Sequence, residues 1–267
     1  MNKYKAEVIV LIPHYNNNDK LLQSILSIKE DMQVDVLVVD DGSKKIPNLN
    51  DIQDQYKNGS VFIEVLLQNE GIEHALNKGL DFIEKSNYKY IARLDCGDLN
   101  LKNKYTKQYN YLEQNLDTYL LGTWADIIDE NGKLLYQLKH PCTYRKIKNR
   151  MFINSMFVHP TVMYRTNVLS IIGNYPVNYK AAEDYAFFFK IIKKLKAENY
   201  PESLLKYEMN PNSISRIKRK QQILNRIKII WDNFYFGFYP LYGLTRNIII
   251  YILPPNFINY LKTKFSK

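Results

Sequence analysis

Within the first hundred residues, four short β-branched runs each end abruptly in turn-forming or acidic residues, and amphipathic helical stripes fall between them. Residues 8–12 give way to Pro13-His14-Tyr15-Asn16, and 34–39 to Asp40-Asp41-Gly42-Ser43. Residues 61–67 lead to Asn69-Glu70-Gly71, and 90–94 to Asp95-Cys96-Gly97-Asp98. Runs that are apolar on both faces suit the interior of a parallel sheet. Between the first two, Leu21, Leu22, Ile25, Leu26 and Ile28 keep helical spacing. After the third, Ile72, Ala75, Leu76, Gly79, Leu80 and Ile83 form a full apolar stripe. Such alternation of strand and helix specifies a wound α/β sheet.

Past Asp98 the rhythm changes. The spacing predicts helices over 104–116, 144–154 and 182–194, and a strand over 160–164. Residues 119–128 and 133–138 flank Asp129-Glu130-Asn131-Gly132, a good hairpin turn. A chain of 267 residues holds one large α/β domain with a tail. We expect the domain over 1–205, with halves at 1–98 and 99–205, and the tail over 206–267.

The net charge of +10 belongs almost wholly to that tail: from residue 204 onward there are eleven Lys or Arg against Glu208 and Asp232. They are interleaved with Trp231, Phe234, Tyr235, Phe236, Phe238, Tyr239 and Tyr242, a mixture that suits an anionic membrane surface better than a nucleic-acid groove. Residues 213–230 are expected to form an amphipathic helix. The apolar stretch 234–253 is interrupted by Gly237, Pro240, Gly243, Arg246 and Asn247, so it falls short of a clean span, and interfacial attachment is expected instead. Cys96 and Cys142 have no paired spacing and no cluster with the four histidines, so neither a disulfide framework nor a structural zinc site is indicated, and a reducing compartment is expected. Residues 1–7 are polar and the run that follows is too short for a secretory leader. The expected location is cytoplasmic, attached peripherally to the inner face of the cell membrane.

Wound sheets bind ligands outside the carboxyl ends of their strands. Two of the four ends here are acidic, and these turns lack the GxGxxG and GxxxxGK[ST] loops of dinucleotide cofactors and ATP hydrolysis. Where a phosphate-bearing ligand meets carboxylates, Mg²⁺ or Mn²⁺ is the usual bridge.

These strand ends, together with Ala75-Leu76-Asn77-Lys78-Gly79-Leu80, Ala92-Arg93-Leu94-Asp95 and Glu183-Asp184-Tyr185, resemble the family 2 glycosyltransferases of GT-A fold over residues 7–200. The resemblance implies a wound, mostly parallel sheet with helices on both faces, a nucleotide-sugar half and then an acceptor half. It implies that Pro13, Tyr15, Asp41, Asn69, Gly71, Asn77, Arg93 and Asp95 bind a UDP-sugar, with Asp41 at the uracil edge and Asp95 near ribose and diphosphate. Trp124, His159 and Glu183 would flank a glycan or lipid-linked acceptor, as in lipopolysaccharide or capsule assembly. Asp184 would be the base of an inverting displacement. A divalent cation, Mn²⁺ or Mg²⁺, would be held by Asp95 and Asp98. Here the chain departs from its relatives, which commonly carry Asp-x-Asp-Asp after this strand. Gly97 occupies the second Asp position, so Asp98 is expected to swing in as ligand, helped by the freedom of the glycine.

Plainer roles compete for the same residues. Asp98 and Asp184 suit helix starts, Asp40 and Asp41 suit a simple turn, His159 suits a backbone contact, and Cys96 suits a small filler. Two other functions stay open from sequence. One is a sugar-1-phosphate nucleotidylyltransferase, which wants a glycine-rich basic loop where this chain has His14-Tyr15-Asn16-Asn17-Asn18. The other is a catalytically silent, membrane-bound binding protein of the same fold.

Overall fold

The computed structural model describes residues 6–209 and 217–253. Its first half contains β1 (Val8–His14), α1 (Asn18–Leu26), β2 (Val34–Asp40), α2 (Leu49–Gln55), β3 (Val61–Val65), α3 (Ile72–Glu84) and β4 (Tyr90–Arg93). The four strands are parallel and lie in the order β3-β2-β1-β4, with Val8 opposite Val34 on one side and Tyr90 on the other. Alternate residues face opposite layers. Val8, Val10, Ile12, Val36 and Val38 pack with Leu21 and Ile25 of α1 and Ile52 of α2. Ile9, Leu11, Leu37 and Val39 pack with Ala75, Leu76, Leu80 and Ile83 of α3. Both faces are covered, which is why these strands are apolar throughout. Each such side chain contributes about 1.5–3 kcal/mol on burial. At Gly79, α3 approaches the sheet so closely that a Cβ would overlap the Leu11 side chain.

The second half is mixed. It contains β5 (Leu99–Asn100), α4 (Lys104–Gln114), β6 (Thr118–Ile128), β7 (Leu134–Leu138), α5 (Tyr144–Arg150), β8 (Met163–Arg165), α6 (Val168–Ile172), α7 (Glu183–Lys194) and β9 (Lys196–Glu208). The sheet continues from β4 through antiparallel β8 to β6, then to β9 parallel to β6, and ends at β5, while β7 forms the expected hairpin on β6. Expected helices over 104–116, 144–154 and 182–194 are present with shorter ends. The strand expected over 160–164 is divided: His159–Thr161 form a 3₁₀ turn, and only the residues after it join the sheet as β8.

Sequence reasoning passed over α2, β5, α6 and β9. Strand β9 is long, but it carries Pro201 and its register with β6 shifts at three places, so no clean two-residue alternation marks it. The boundary expected after residue 205 falls inside it.

Two tail helices follow, α8 (Arg219–Asp232) and α9 (Phe238–Ile252). Of the amphipathic helix expected over 213–230, residues 213–216 lie outside the described residues. Ile229, Ile230 and Leu244 join the same apolar cluster as Phe187, Phe188 and Phe189 of α7, so the tail packs on the catalytic half. Among the described residues no helix is long and apolar enough to cross a membrane.

Candidate active site

The sheet order reverses at β1, so the strand-end loops of β1, β2 and β4 meet at the switch point where wound sheets bind ligands. Asp40 ties the first two loops together. Its Oδ1 accepts from His14 Nδ1 at 2.8 Å and from the Ser43 hydroxyl at 2.5 Å, and its Oδ2 accepts from the Ser43 amide at 3.1 Å. His14 Nε2 in turn accepts from the Asn17 amide at 3.1 Å. Ser43 Oγ also accepts from the Asn16 amide, holding Asn16 in a left-handed conformation at φ 53°.

Asp41 is buried beside this clamp and reaches the loop after β3. Its two oxygens accept from the amides of Glu70 at 2.8 Å and Gly71 at 3.0 Å. Burial raises its carboxyl above the usual range, and the two amide bonds partly offset the rise. Each oxygen keeps a second lone pair for a ligand N–H. Gly42, at φ 70°, lies so close to the Gln68 backbone that no side chain fits there. Tyr15 and Asn69 stand exposed at the rim, Pro13 and Gly71 half-buried behind them. Asn77, expected to touch a donor, instead uses both halves of its amide on the Tyr175 backbone, at 2.9 Å each.

Arg93 ends β4 with its side chain fully enclosed, so it reaches the site only through its neighbours. Its guanidinium donates to Leu11 O, to His159 Nε2 at 3.2 Å and to Asp95 Oδ1 at 2.6 Å. His159 Nε2 also receives the Tyr175 hydroxyl at 2.9 Å. Burial, helped by the Arg93 charge, pulls this imidazole well below its ordinary pKa and keeps it neutral. His159 thus sits beneath the site as a prop for Arg93. Lys104, on α4, is buried with its ammonium on Pro160 O at 2.7 Å and Arg93 O at 3.3 Å. Burial brings its pKa down to about 7, against the pull of Glu30 and Asp98.

The Asp95 side chain is 31% exposed and available to a ligand. Asp98 is buried; its Oδ1 accepts from the Glu208 amide at 3.1 Å, and its Oδ2 has no partner. Burial, then the Asp95 charge, raise its carboxyl well above the usual range. Gly97 between them adopts φ 107°, a conformation that favours glycine. An orphaned carboxylate oxygen close to a half-exposed one is a hard-oxygen donor set that fits Mg²⁺ or Mn²⁺ sharing ligands with a diphosphate. Among the described residues no three His, Cys, Asp or Glu side chains form a cage on their own. Cys96 contributes no reactive thiol: burial and the flanking carboxylates push its pKa up to about 12, and its sulfur contacts Asn17 O.

Across the site, Glu183 and Asp184 open α7. Asp184 Oδ1 accepts from the Tyr185 amide at 2.7 Å. Burial raises the Asp184 carboxyl, the Tyr185 amide and the Arg226 charge lower it, and Asp95 raises it again. Glu183 is pushed up to about 8 by burial and the charges of Asp184, Glu73 and Asp95, and its buried Oε2 has no partner. A helix-capping role leaves that orphan atom unexplained. Strand β9 reaches the loop after β4 through the Glu208 amide on Asp98, and its Tyr207 is shifted upward by burial and by the charges of Asp98, Asp95 and Asp184. Trp124, half-buried on β6, donates to His140 O at 2.9 Å and carries Lys139 on its ring.

Residues 9–172 match the family described as Glycosyl transferase family 2. The chain belongs to this family. An uncharacterized glycosyltransferase of Methanocaldococcus jannaschii, MJ1057, is 31% identical over 95% of this chain and 91% of its own length. The O-antigen biosynthesis glycosyltransferase WbnJ of Escherichia coli is 31% identical over 50% of this chain and 53% of its own. Among solved structures, S. aureus TarS 1-349 in complex with UDP-GlcNAc superposes with a TM-score of 0.64 at 17% identity, covering 90% of this chain and 71% of that one. The mannosyltransferase PcManGT from Pyrobaculum calidifontis, in complex with GDP-Man and Mn²⁺, gives 0.63 at 13%, covering 92% and 69%. The fold is GT-A, and this family 2 chain is a glycosyltransferase.

The residues around the site that sequence reasoning missed are His14, Lys104, Tyr207 and Arg226. Of these only His14 carried a local signal, because it stands at a strand end.

Proposed function

We propose that the chain moves a sugar from a UDP-sugar to a hydroxyl of a glycan or lipid-linked acceptor, with inversion, during bacterial surface-polysaccharide assembly on the inner face of the cell membrane. The observation that carries this reading is a family 2 domain with a ligand-accessible carboxylate, Asp95, at the end of β4, an unpartnered buried oxygen on Asp98 in the same loop, and another on Glu183 beside Asp184 at the start of α7. In this reading Asp95 and Asp98 serve the donor side and Asp184 the acceptor side of one reacting centre.

Asp41 receives the base edge, and Tyr15 and Asn69 line the open rim of the nucleotide site. Asp184 takes the proton of the acceptor hydroxyl as the new bond forms. The Tyr185 amide fixes one of its oxygens and leaves the other for that hydroxyl. Attack from this side, opposite the departing UDP, inverts the anomeric centre. Asp95 and Asp98 would hold Mn²⁺ or Mg²⁺, which when bound neutralises charge on the leaving diphosphate. Arg93, held by Leu11 and His159, fixes Asp95 for that task. The complexes of TarS with UDP-GlcNAc and of PcManGT with GDP-Man and Mn²⁺ support a nucleotide-sugar donor and a cation. The O-antigen role in WbnJ's name supports the polysaccharide setting.

Trp231, Phe236, Phe238 and Ile252 are 66%, 98%, 73% and 72% exposed. With Arg219, Lys220 and Lys228 of α8 they supply the aromatic and basic groups that support attachment to an anionic leaflet.

In Asp184→Asn, kcat for sugar transfer should fall by about 10²–10⁴, while UDP affinity measured by calorimetry is retained. Full transfer by the variant, or a product with the donor's own anomeric configuration, would remove Asp184 from this role.

A further inference from the structure

Two independent anchors set the tail on the segments just before α7 and just after α5. Helix α8 is fastened to the segment just before α7: the Asn225 amide donates to Lys180 O at 2.8 Å, and the Tyr179 hydroxyl donates to Asp232 at 2.7 Å. Lys228 lies over the Tyr179 ring, 5.1 Å from its centroid. Helix α9 is fastened after α5. Gly243 lies directly on the Phe152 carbonyl, where any Cβ would clash, and Arg246 donates to Ile153 O at 3.2 Å.

These anchors bring two guanidinium groups together. Arg226 follows Asn225, whose amide is bonded four residues before Asp184, and it lies within charge range of Asp184, Tyr185 and Arg246 of α9. Among the described residues Arg226 makes no hydrogen bond and no ion pair, although it is half-buried. A guanidinium offers five donors in a planar fork that matches phosphate oxygens, and an unpaired one in a partly dry site is costly. One Asp184 carboxylate does not balance two cations. Ile153 also lines a cleft of about 400 Å³ with Lys139, Arg150, Phe238 and Tyr239. Its mixed basic and aromatic wall suits an amphiphile with an anionic head.

We infer that Arg226 and Arg246 form a binding site for the phosphate or diphosphate that joins the acceptor sugar to its lipid, so placed that a free hydroxyl of that sugar reaches Asp184. The inference rests on the transferase reading and narrows its acceptor to an anionic lipid-linked one. It also gives the tail a second task, inside the site.

Farnesyl diphosphate is a usable probe, titrated calorimetrically into the full chain with the donor site filled by saturating UDP. Wild type should bind it, and Arg226→Gln and Arg246→Gln should each weaken binding by about tenfold or more, the effect of losing a charge-assisted hydrogen bond. Arg226→Lys, which keeps the charge, should lose less. UDP affinity should stay unchanged in all three, which also reports that they fold. Farnesol should bind far more weakly, as should inorganic pyrophosphate. Equal affinity in wild type and both glutamine variants would overturn the inference, as would equal binding of farnesol. Pyrophosphate binding as tightly as the lipid would reassign the site to a free anion. A wild type that binds no UDP would instead defeat the transferase reading itself.

Discussion

The strand-end loops of β1 and β2 and the carboxylates around α7 and Asp98 are both acidic, yet they are built in opposite ways. On the first side Asp40 and Asp41 spend all four oxygens on protein donors, and Asp40 alone joins His14 to Ser43. On the second, Asp98 Oδ2 and Glu183 Oε2 are buried without partners, and Arg226 stands unpaired among the described residues. A satisfied network fixes geometry before a ligand arrives, whereas an unsatisfied buried polar group costs stability until something completes it. The donor side is therefore preformed, and the reacting side holds capacity in reserve for cation, diphosphate and acceptor.

The comparison breaks first if the clamp is not structural. Asp40→Ala removes three hydrogen bonds from a fully buried position and should cost about 3 kcal/mol of unfolding free energy in urea. A cost below about 1 kcal/mol would mean the loops hold themselves.

A smaller effect sharpens the other side. The Glu183 carboxyl titrates near 4.5 when unfolded and is pushed up to about 8 in the fold. Between those values the folded state keeps a proton that the unfolded state has released, so its contribution to stability falls as pH rises through this window. Glu183→Gln resembles the protonated form and should flatten the fall in thermal midpoint between pH 5 and 8. An unchanged slope would show that Glu183 is ionised in the fold.

The front half was legible because buried parallel strands write themselves as continuous apolar runs and their helices as clean stripes, as in β1, β2 and α3. The carboxylates at the strand ends were legible for the same reason: they stop those runs. What sequence hid lies in long-range pairing. Tyr207 meets the site only because β9 returns alongside β6, and Pro201 with the shifting register erased its pattern. Arg93 and His159 looked like ligand contacts because they stand in shared motifs, but burial turns both into supports for Asp95. Arg226 looked like one more surface charge of a basic tail. Its place beside Asp184 depends on Asn225 and Asp232 gripping the segment that opens α7.

The claim that unpaired carboxylates are held for ligands is tested most directly at Asp98, by thermal unfolding of wild type and Asp98→Asn with and without a UDP-sugar and Mn²⁺. An amide in place of a buried carboxyl with an unpartnered oxygen should leave the variant about as stable as wild type on its own, while the additional stabilisation from Mn²⁺ disappears. A variant that is less stable by more than about 1 kcal/mol and still gains from Mn²⁺ would contradict the account, because Asp98 would then be part of the frame and no part of the cation site.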